Sequence, residues 1–386
     1  MRILIVNEFI DERGAEEVAK KQFAALEEHG VSVHMLAFQD SRGTSHRNPE
    51  KYTIVEIPKF YKLIFSLRYY FKIRRVIKEF NPDYILVHNV FSSPFTVYRA
   101  FKDYQTIQTV HDYKIVCPTA MCIREDDGKV CAGYGTHECM RHCGANKNTI
   151  KFRIQEHIVK RTETIRKKYV KTFIAPSQKL KEYMTSYGYD VTCINNPIES
   201  LKQPMQPHIV DNEQVKFVYA GAICEEKGII PFLEYLKSRN EGFVVDVYGG
   251  IANDTNIEDL TNIENIHFKG KIPHAQLIEI LNQYDYMIVP SMWQENYPTS
   301  ILEAMRCGVV VIGSDRGGIP EMLSNHRGYV FSYGDISDLC STMDEVFASS
   351  REKYESIRQE AYHYVCTNNS VENYYQKLME VIQHIN

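Results

Sequence analysis

The sequence predicts an α/β protein built of two doubly wound, Rossmann-like domains that face one another across a cleft. Three observations point there. Short apolar runs of strand length alternate with segments of helical periodicity, the pattern of a parallel sheet covered by helices on both faces. The alternation stops in a polar, proline-containing stretch over 197–213 and then starts again. The length of 386 residues exceeds what one hydrophobic core ordinarily serves. The resulting boundaries are a first domain over 1–196, a linker over 197–213 and a second domain over 214–369. A closing helix over 370–386 is expected to pack back on the first domain.

Taken in order, Ile3-Leu4-Ile5-Val6 is a buried strand and Arg13-Gly14-Ala15 a turn. Glu16 to Glu28 is helical, and His29-Gly30 closes that helix with a glycine near its C-terminus. Val31 to Leu36 resumes a strand. A helix over 67–80, a strand at Tyr84–Val87, a helix after Pro94 and a strand from Thr106 to Val110 follow. Strands at Thr172–Ala175 and near Val191 complete the first half. The second half opens with a strand at Val215–Ala220. Further strands lie at Phe243–Tyr248, Ile266–Phe268, Tyr286–Val289 and Val309–Ile312. Sheets of this kind bind ligands outside the carboxyl ends of their strands, so the loops that follow strands are where chemistry is sought.

The composition, 44% hydrophobic and 24% charged, is that of an ordinary folded protein. The N-terminal run Met1 to Asn7 is too short for a signal peptide, and no apolar run approaches the roughly 20 residues that span a bilayer. A chain neither secreted by a standard signal nor integral to a membrane is therefore expected. Its net charge of −4 hides an uneven split, with 31 Lys+Arg against 22 Asp+Glu in residues 1–196 and the acidic excess in the remainder. No nucleic-acid motif accompanies the basic half, so nucleic acid is not expected as a partner. An anionic membrane surface or a phosphate-bearing acceptor suits it. Residues 59–80 mix cations (Lys59, Lys62, Arg68, Lys72, Arg74, Arg75) with Phe60, Tyr61, Phe65 and Phe71. Such a segment fits a membrane interface, each basic residue adding about 1 kcal/mol at an anionic surface. Arg166-Lys167-Lys168 could reinforce it. The same segment also reads as a core helix with a solvated basic face.

The stretch from Pro290 to Met305 carries the most chemistry. A strand ends, a short loop holds Glu295, and a helix begins near Pro298, a favoured first helical residue, with Glu303 about one and a half turns along. Both carboxylates can point into one cleft. The helix start supplies N–H groups and a positive dipole end suited to a diphosphate, and carboxylates accept hydrogen bonds from vicinal sugar hydroxyls. A second glycine-rich turn, Ser314 to Glu321, follows the next strand. Lys227, after the first strand of the second half, could neutralise a diphosphate as a point charge. His111 stands at the carboxyl end of its strand, and Gly14 permits close backbone approach in the first loop.

Together with His111-Asp112-Tyr113, Ala175-Pro176-Ser177, Asn196-Pro197, Lys227-Gly228 and Phe268-x-Gly270, the stretch from Glu295 to Glu321 resembles the family 4 glycosyltransferases. These are retaining enzymes of the two-Rossmann GT-B architecture, here of the bacterial polysaccharide-biosynthesis type, and the resemblance covers nearly the whole chain. It implies donor-sugar contact by Glu295, ribose binding by Glu303 and a catalytic place for His111 near the transferred sugar. It places Gly14, Lys227, Asn296, Tyr297 and Thr299 with the donor, and Arg13 and Glu16 on the acceptor side. The family's usual arginine is replaced by Ala222 in this sequence. Helix N–H groups and Arg316 are the candidates to compensate.

The implied reaction is metal-independent transfer of a hexose, with retention, from a nucleotide diphosphate sugar. The acceptor is a saccharide or a polyprenyl-diphosphate-linked one, and no cofactor is needed. The expected location is the cytoplasm, at the inner face of the cell membrane. Half of the ten cysteines (Cys117, Cys122, Cys131, Cys139, Cys143) fall in a loop-rich segment after His111. They read as free thiols on the acceptor side, ahead of a structural zinc set of Cys117, Cys131, Cys139 and Cys143, because no C-x2-C pair is present. The alternatives kept open are a sugar-nucleotide epimerase on the same fold and a non-catalytic nucleotide-sugar-binding or scaffold protein.

Overall fold

The computed structural model describes residues 1–10, 14–39, 50–58, 64–117, 119–124, 128–131, 142–143, 149–199, 214–239, 242–252 and 255–385. Arg13, Cys139, residues 59–63 of the basic segment and 200–213 of the expected linker lie outside the described residues. The chain divides into two compact units, Met1–Pro197 with Val371–Asn386, and Ile198–Ser370.

The first unit is a seven-stranded sheet. Its strands are β1 (Arg2–Phe9), β2 (Ser32–Gln39), β3 (Tyr52–Ile54), β4 (Tyr84–Val87), β5 (Gln105–Thr109), β6 (Thr172–Ala175) and β7 (Val191–Cys193). Their order is β3-β2-β1-β4-β5-β6-β7, with every pairing parallel. Ile3 to Val6 are wholly buried because helices cover both faces. Successive side chains of β1 alternate between the layers, as the pleat requires. Leu4 and Val6 join Ile73, Ile77, Val97 and Leu180, while Ile3 and Ile5 join Phe23, Leu26 and the C-terminal helix Val371–His384. That last helix buries Tyr374, Leu378, Val381 and Ile382, a spacing that keeps one face inward.

The helix Leu67–Phe80 buries Tyr69, Ile73 and Ile77, while Leu67 and Phe71 stay 63% and 65% exposed among Arg68, Lys72 and Arg75. Three elements of this unit went unread in the sequence: the three-residue edge strand β3 and the helices Thr149–Tyr169 and Gln178–Ser186. The last of these is announced by Ser177, whose hydroxyl accepts from the Leu180 N–H at 3.1 Å.

The second unit has six strands: β8 (Val215–Ala220), β9 (Phe243–Tyr248), β10 (Ile266–Gly270), β11 (Tyr286–Val289), β12 (Val310–Ser314) and β13 (Gly328–Phe331). Their order is β10-β9-β8-β11-β12-β13, again with parallel pairings. The order reverses between β8 and β11, so the loops leaving those two strands become neighbours. These are the loops that hold Lys227 and Glu295. Pairing of Val289 with Gly313 sets the loop after β11 beside the end of β12 as well. The helix after that loop runs Thr299–Arg306 with Pro298 as its N-cap, at φ −62 and ψ 127. Proline thus precedes the helix instead of being its first residue, because an extended ψ carries the chain in from the loop. Among the described residues no helix is long and apolar enough to cross a membrane.

Candidate active site

In the second unit the loop Pro290–Tyr297 is pinned from several sides. Met292 N–H donates to the Glu226 carbonyl at 2.9 Å, and Ser314 Oγ donates to the Ser291 carbonyl at 2.7 Å. The Gly317 N–H donates to Gln294 Oε1 at 2.8 Å, and the Gly318 N–H to the Glu295 carbonyl at 2.7 Å. Two glycines make this approach possible. Gly228 has φ +67, and a Cβ there would lie 1.9 Å from the Pro290 carbonyl oxygen. Gly317 has φ +59, and its Cβ would lie 1.9 Å from the Glu295 carbonyl oxygen. Both conformations belong to glycine, and both contacts forbid any side chain.

The Glu295 carboxylate gathers three donors on one oxygen. Oε1 accepts from Lys227 Nζ at 2.6 Å, from Ser291 Oγ at 2.7 Å and from Trp293 Nε1 at 2.7 Å. Lys227 also lies over the Trp293 ring, 4.3 Å from its centroid. Burial pushes the Glu295 carboxyl up. The Lys227 charge and the three hydrogen bonds outweigh that push and hold it below the ordinary carboxylate value. The group is therefore an anion at neutral pH, locked in orientation, with Oε2 outside this triple contact.

Glu303 is buried on the helix Thr299–Arg306 and faces His274 Nε2 at 2.9 Å. His274 opens the helix His274–Ile280 and is 63% exposed at its side chain. Tyr297 adopts φ +82 and is 1% exposed; its hydroxyl lies 3.1 Å from that of Tyr364, and Asn369 Nδ2 donates to it at 3.3 Å. Its ring belongs to the core, which leaves the main chain as its means of meeting a donor. Asn296 lies in the same loop and Thr299 opens the helix, both partly exposed.

Ala222 is exposed, and its carbonyl accepts from Tyr219 Oη at 2.6 Å. Arg316, the expected compensating cation, is engaged elsewhere. It donates to the Tyr333 carbonyl at 3.3 Å, lies over the Tyr333 ring and stands 3.5 Å from Asp315 Oδ1.

In the first unit the order reverses between β1 and β4, and the loops leaving these strands hold a second cluster. Glu8, wholly buried at the end of β1, accepts from the Phe91 and Ser92 N–H groups at 2.7 and 2.9 Å and from the Ser92 hydroxyl. Asn7 Oδ1 accepts from the Asn89 N–H at 3.1 Å. The loop after β4 is thereby fixed, and with it His88. His88 Nδ1 lies 2.8 Å from His111 Nε2, and the two rings are near-coplanar, edge to edge, with centroids 5.0 Å apart and planes 13° from parallel. Burial lowers His111 from its ordinary 6.5 to about 4. Burial and then the His111 charge take His88 well below its ordinary value. Both imidazoles are neutral at physiological pH.

Gly14 opens the helix Gly14–Glu28, exposed, and Glu16 is buried in its first turn. Cys117 Sγ lies 3.3 Å from Thr119 Oγ1, and among the described residues no group of three or more His, Cys, Asp or Glu could hold a metal ion. Cys139, the fourth member of the expected zinc set, lies outside the described residues. Sequence reasoning missed Ser291, Trp293, His274, Glu8 and His88. Only Trp293, the single tryptophan of the chain, carried a signal of its own.

Two family models match in succession. The model for Glycosyltransferase Family 4 covers residues 13–200, and that for Glycosyl transferases group 1 covers residues 202–364. The chain belongs to the glycosyltransferases of this family 4, group 1 type.

A Bacillus subtilis protein named as a teichuronic acid biosynthesis glycosyltransferase, TuaC, is 32% identical over 111 residues, which is 28% of this chain and 27% of TuaC. Glycogen synthase of Mycobacterium tuberculosis is 24% identical over 181 residues, 44% of each chain, so these matches span less than half of either relative. An uncharacterised 42.6 kDa protein from the cps region of Klebsiella pneumoniae is 21% identical over 333 residues, 85% of this chain and 82% of its own. Among solved structures, Anabaena HepE in complex with UDP aligns over 100% of both chains with a TM-score of 0.73 at 14% identity. WaaG, a glycosyltransferase involved in lipopolysaccharide biosynthesis, aligns over 98% of each chain at 0.65 and 13%. At such identities these likenesses establish the GT-B fold.

Proposed function

We propose that the chain is a retaining glycosyltransferase that moves a hexose from a nucleotide diphosphate sugar to a saccharide or polyprenyl-diphosphate-linked acceptor during synthesis of a bacterial surface polysaccharide. The observation that carries this reading is the Lys227–Glu295 contact of 2.6 Å at the topological switch point of the second unit. Cleaving the bond between sugar and diphosphate places charge on the leaving group. A preorganised cation and main-chain N–H groups stabilise such charge at no reorganisation cost. Lys227 is that cation, held in place by a carboxylate whose own role is toward the sugar. Glu303, the fifth residue of the helix Thr299–Arg306, takes the ribose hydroxyls. On this reading no metal ion or cofactor is needed. His111 acts at the transferred sugar, and the first unit receives the acceptor.

The reading extends to an anionic membrane surface, where a lipid-linked acceptor would be met. Its support is the exposed apolar and cationic surface of the first unit. Leu67 and Phe71 stand out among Arg68, Lys72 and Arg75, and Ile150 and Ile154 are 69% and 47% exposed on another helix. A groove of about 420 Å³ is lined by Phe95, Ile150 and Ile154 together with Arg153 and Arg161. This pairing of apolar groups with cations suits lipid headgroups above acyl chains.

The deciding experiment incubates the protein with a panel of nucleotide sugars, with and without a lipid-linked saccharide acceptor, and analyses all products. Release of nucleoside diphosphate that requires the acceptor and disappears in Glu295→Gln is the expected result. Conversion of the nucleotide sugar without acceptor would replace this reading with an epimerase. Binding without turnover would replace it with a nucleotide-sugar-binding protein.

A further inference from the structure

His111 does not stand alone. Its Nε2 lies 2.8 Å from His88 Nδ1, His88 Nε2 lies 2.9 Å from Gln22 Oε1, and Gln22 Nε2 donates to the Tyr374 hydroxyl at 2.7 Å. His88 is 1% exposed, Gln22 is wholly buried and Tyr374 is 3% exposed, so water does not compete along this line. The four residues come from four separate elements. Gln22 lies on the helix Gly14–Glu28, His88 after β4, His111 after β5 and Tyr374 on the C-terminal helix Val371–His384.

We propose that Gln22, His88 and Tyr374 are positioning residues that fix the tautomer and orientation of His111. The amide sets the direction of the line. Gln22 gives its N–H to Tyr374, so its oxygen is the end that faces His88 and can only accept. His88 must therefore carry its proton on Nε2. A neutral imidazole has one donor and one acceptor, which makes His88 Nδ1 the acceptor and requires His111 to donate from Nε2. His111 then keeps its lone pair on Nδ1, the ring nitrogen outside the line.

The consequence for chemistry rests on the transferase reading given above. To a sugar hydroxyl His111 offers an acceptor, not a donor, and it does so as a neutral group. Through the line it also ties the C-terminal helix, whose Tyr374 follows His111 by 263 residues, to the site through a single phenol.

The test is nitrogen-15 NMR of the imidazoles in the full-length protein without substrate, with the His111 signals assigned by their loss in His111→Gln. The wild type should give His111 with a protonated Nε2 and a bare Nδ1. Tyr374→Phe removes one oxygen from a buried ring, frees the Gln22 amide to turn over, and should give a mixture of His111 tautomers. Gln22→Leu should do the same, whereas Gln22→Glu, which keeps an acceptor toward His88, should restore the single tautomer. In transfer assays Tyr374→Phe should lower kcat about 10-fold or more with little change in the donor KM, because a share of His111 then presents the wrong nitrogen. A protonated Nδ1 on His111 in the wild type, or a tautomer unchanged in both Tyr374→Phe and Gln22→Leu, would overturn the proposal. A fixed Nε2–H tautomer in a protein that transfers no sugar would uphold the positioning line while sinking the transferase reading.

Discussion

Lys227 Nζ and Glu295 Oε1 meet at 2.6 Å across 68 residues of sequence, with the chain's single tryptophan, Trp293, lying over the lysine and donating to the same carboxylate oxygen. The contact is a consequence of sheet order. β8 and β11 are adjacent, Gly228 lets the loop after β8 close on Pro290 after β11, and Gly317, after β12, closes on Glu295 from the other side.

Lys227→Met should leave a carboxylate that is buried but has lost its largest favourable charge. The Glu295 carboxyl now sits below its ordinary value. Its contribution to stability is therefore present above the unfolded value and is lost as pH falls through the lower folded one. In the variant, burial dominates and the carboxyl rises, so stability at pH 7 falls by roughly 3 kcal/mol. Melting temperature measured from pH 3 to 8 should show a shallower acid slope in the variant. Transfer activity should drop about 100- to 1000-fold, as on loss of a main donor to developing charge.

Glu303→Ala should remove the response to nucleotide without unfolding the protein. A nucleoside diphosphate at 100 times its dissociation constant stabilises by about 2.7 kcal/mol, a rise in melting temperature of roughly 5–11 °C at the 2–4 °C per kcal/mol of a domain this size. The same titration should change the fluorescence of Trp293, which reports from the site alone because no other tryptophan exists. An unchanged melting temperature and emission in the wild type with every nucleotide tested would argue against a donor site here.

Gly228→Ala and Gly317→Ala should each destabilise by about 3 kcal/mol or more, through a left-handed backbone and a collision with a carbonyl oxygen. Differential scanning calorimetry should show this, while Gly30→Ala, at φ +75 with open space around it, should cost only about 1 kcal/mol.

Acid should act on the hydrogen-bonded pair of His88 and His111 with the opposite sign to an ion pair formed by a histidine. His111 titrates near 4 when folded and 6.5 when unfolded, so the unfolded chain binds more protons in between. Stability therefore falls as pH drops through that window, by on the order of 3 kcal/mol. In His111→Gln the fall between pH 6.5 and 4 should be smaller, read by chemical denaturation at each pH.

Leu67→Glu with Phe71→Glu should abolish co-sedimentation with vesicles containing anionic phospholipid and leave far-UV circular dichroism unchanged, since both side chains are more than 60% exposed. Wild-type binding should fade in high salt. No sedimentation of the wild type at low salt would remove the membrane from the proposed function.

Much of the fold was legible because parallel strands buried on both faces write themselves as unbroken apolar runs. Tyr84–Val87, Thr172–Ala175, Val215–Ala220 and Tyr286–Val289 have the bounds their residues announced. The helix Leu67–Phe80 was equally plain from its periodicity. What escaped was short or polar: β3 has three residues, and the helix Thr149–Tyr169 carries cations along much of its length. At the site the sequence singled out Glu295, Glu303, Lys227 and His111 from their places after strands. Ser291 and Trp293 looked like ordinary loop residues, and Tyr297 looked like a ligand contact although its ring fills the core.

By itself, then, the sequence determined the two parallel sheets and the family and named the candidate site positions, because local apolar patterning and strand ends are properties of contiguous residues. Only the tertiary structure decided which of those positions touch. Lys227 reaches Glu295, His274 reaches Glu303, and His111 is held through His88 and Gln22 to Tyr374. Each of these contacts depends on strand order and helix docking, and no spacing in a linear chain encodes a hydrogen bond between elements whose neighbourhood the fold alone creates.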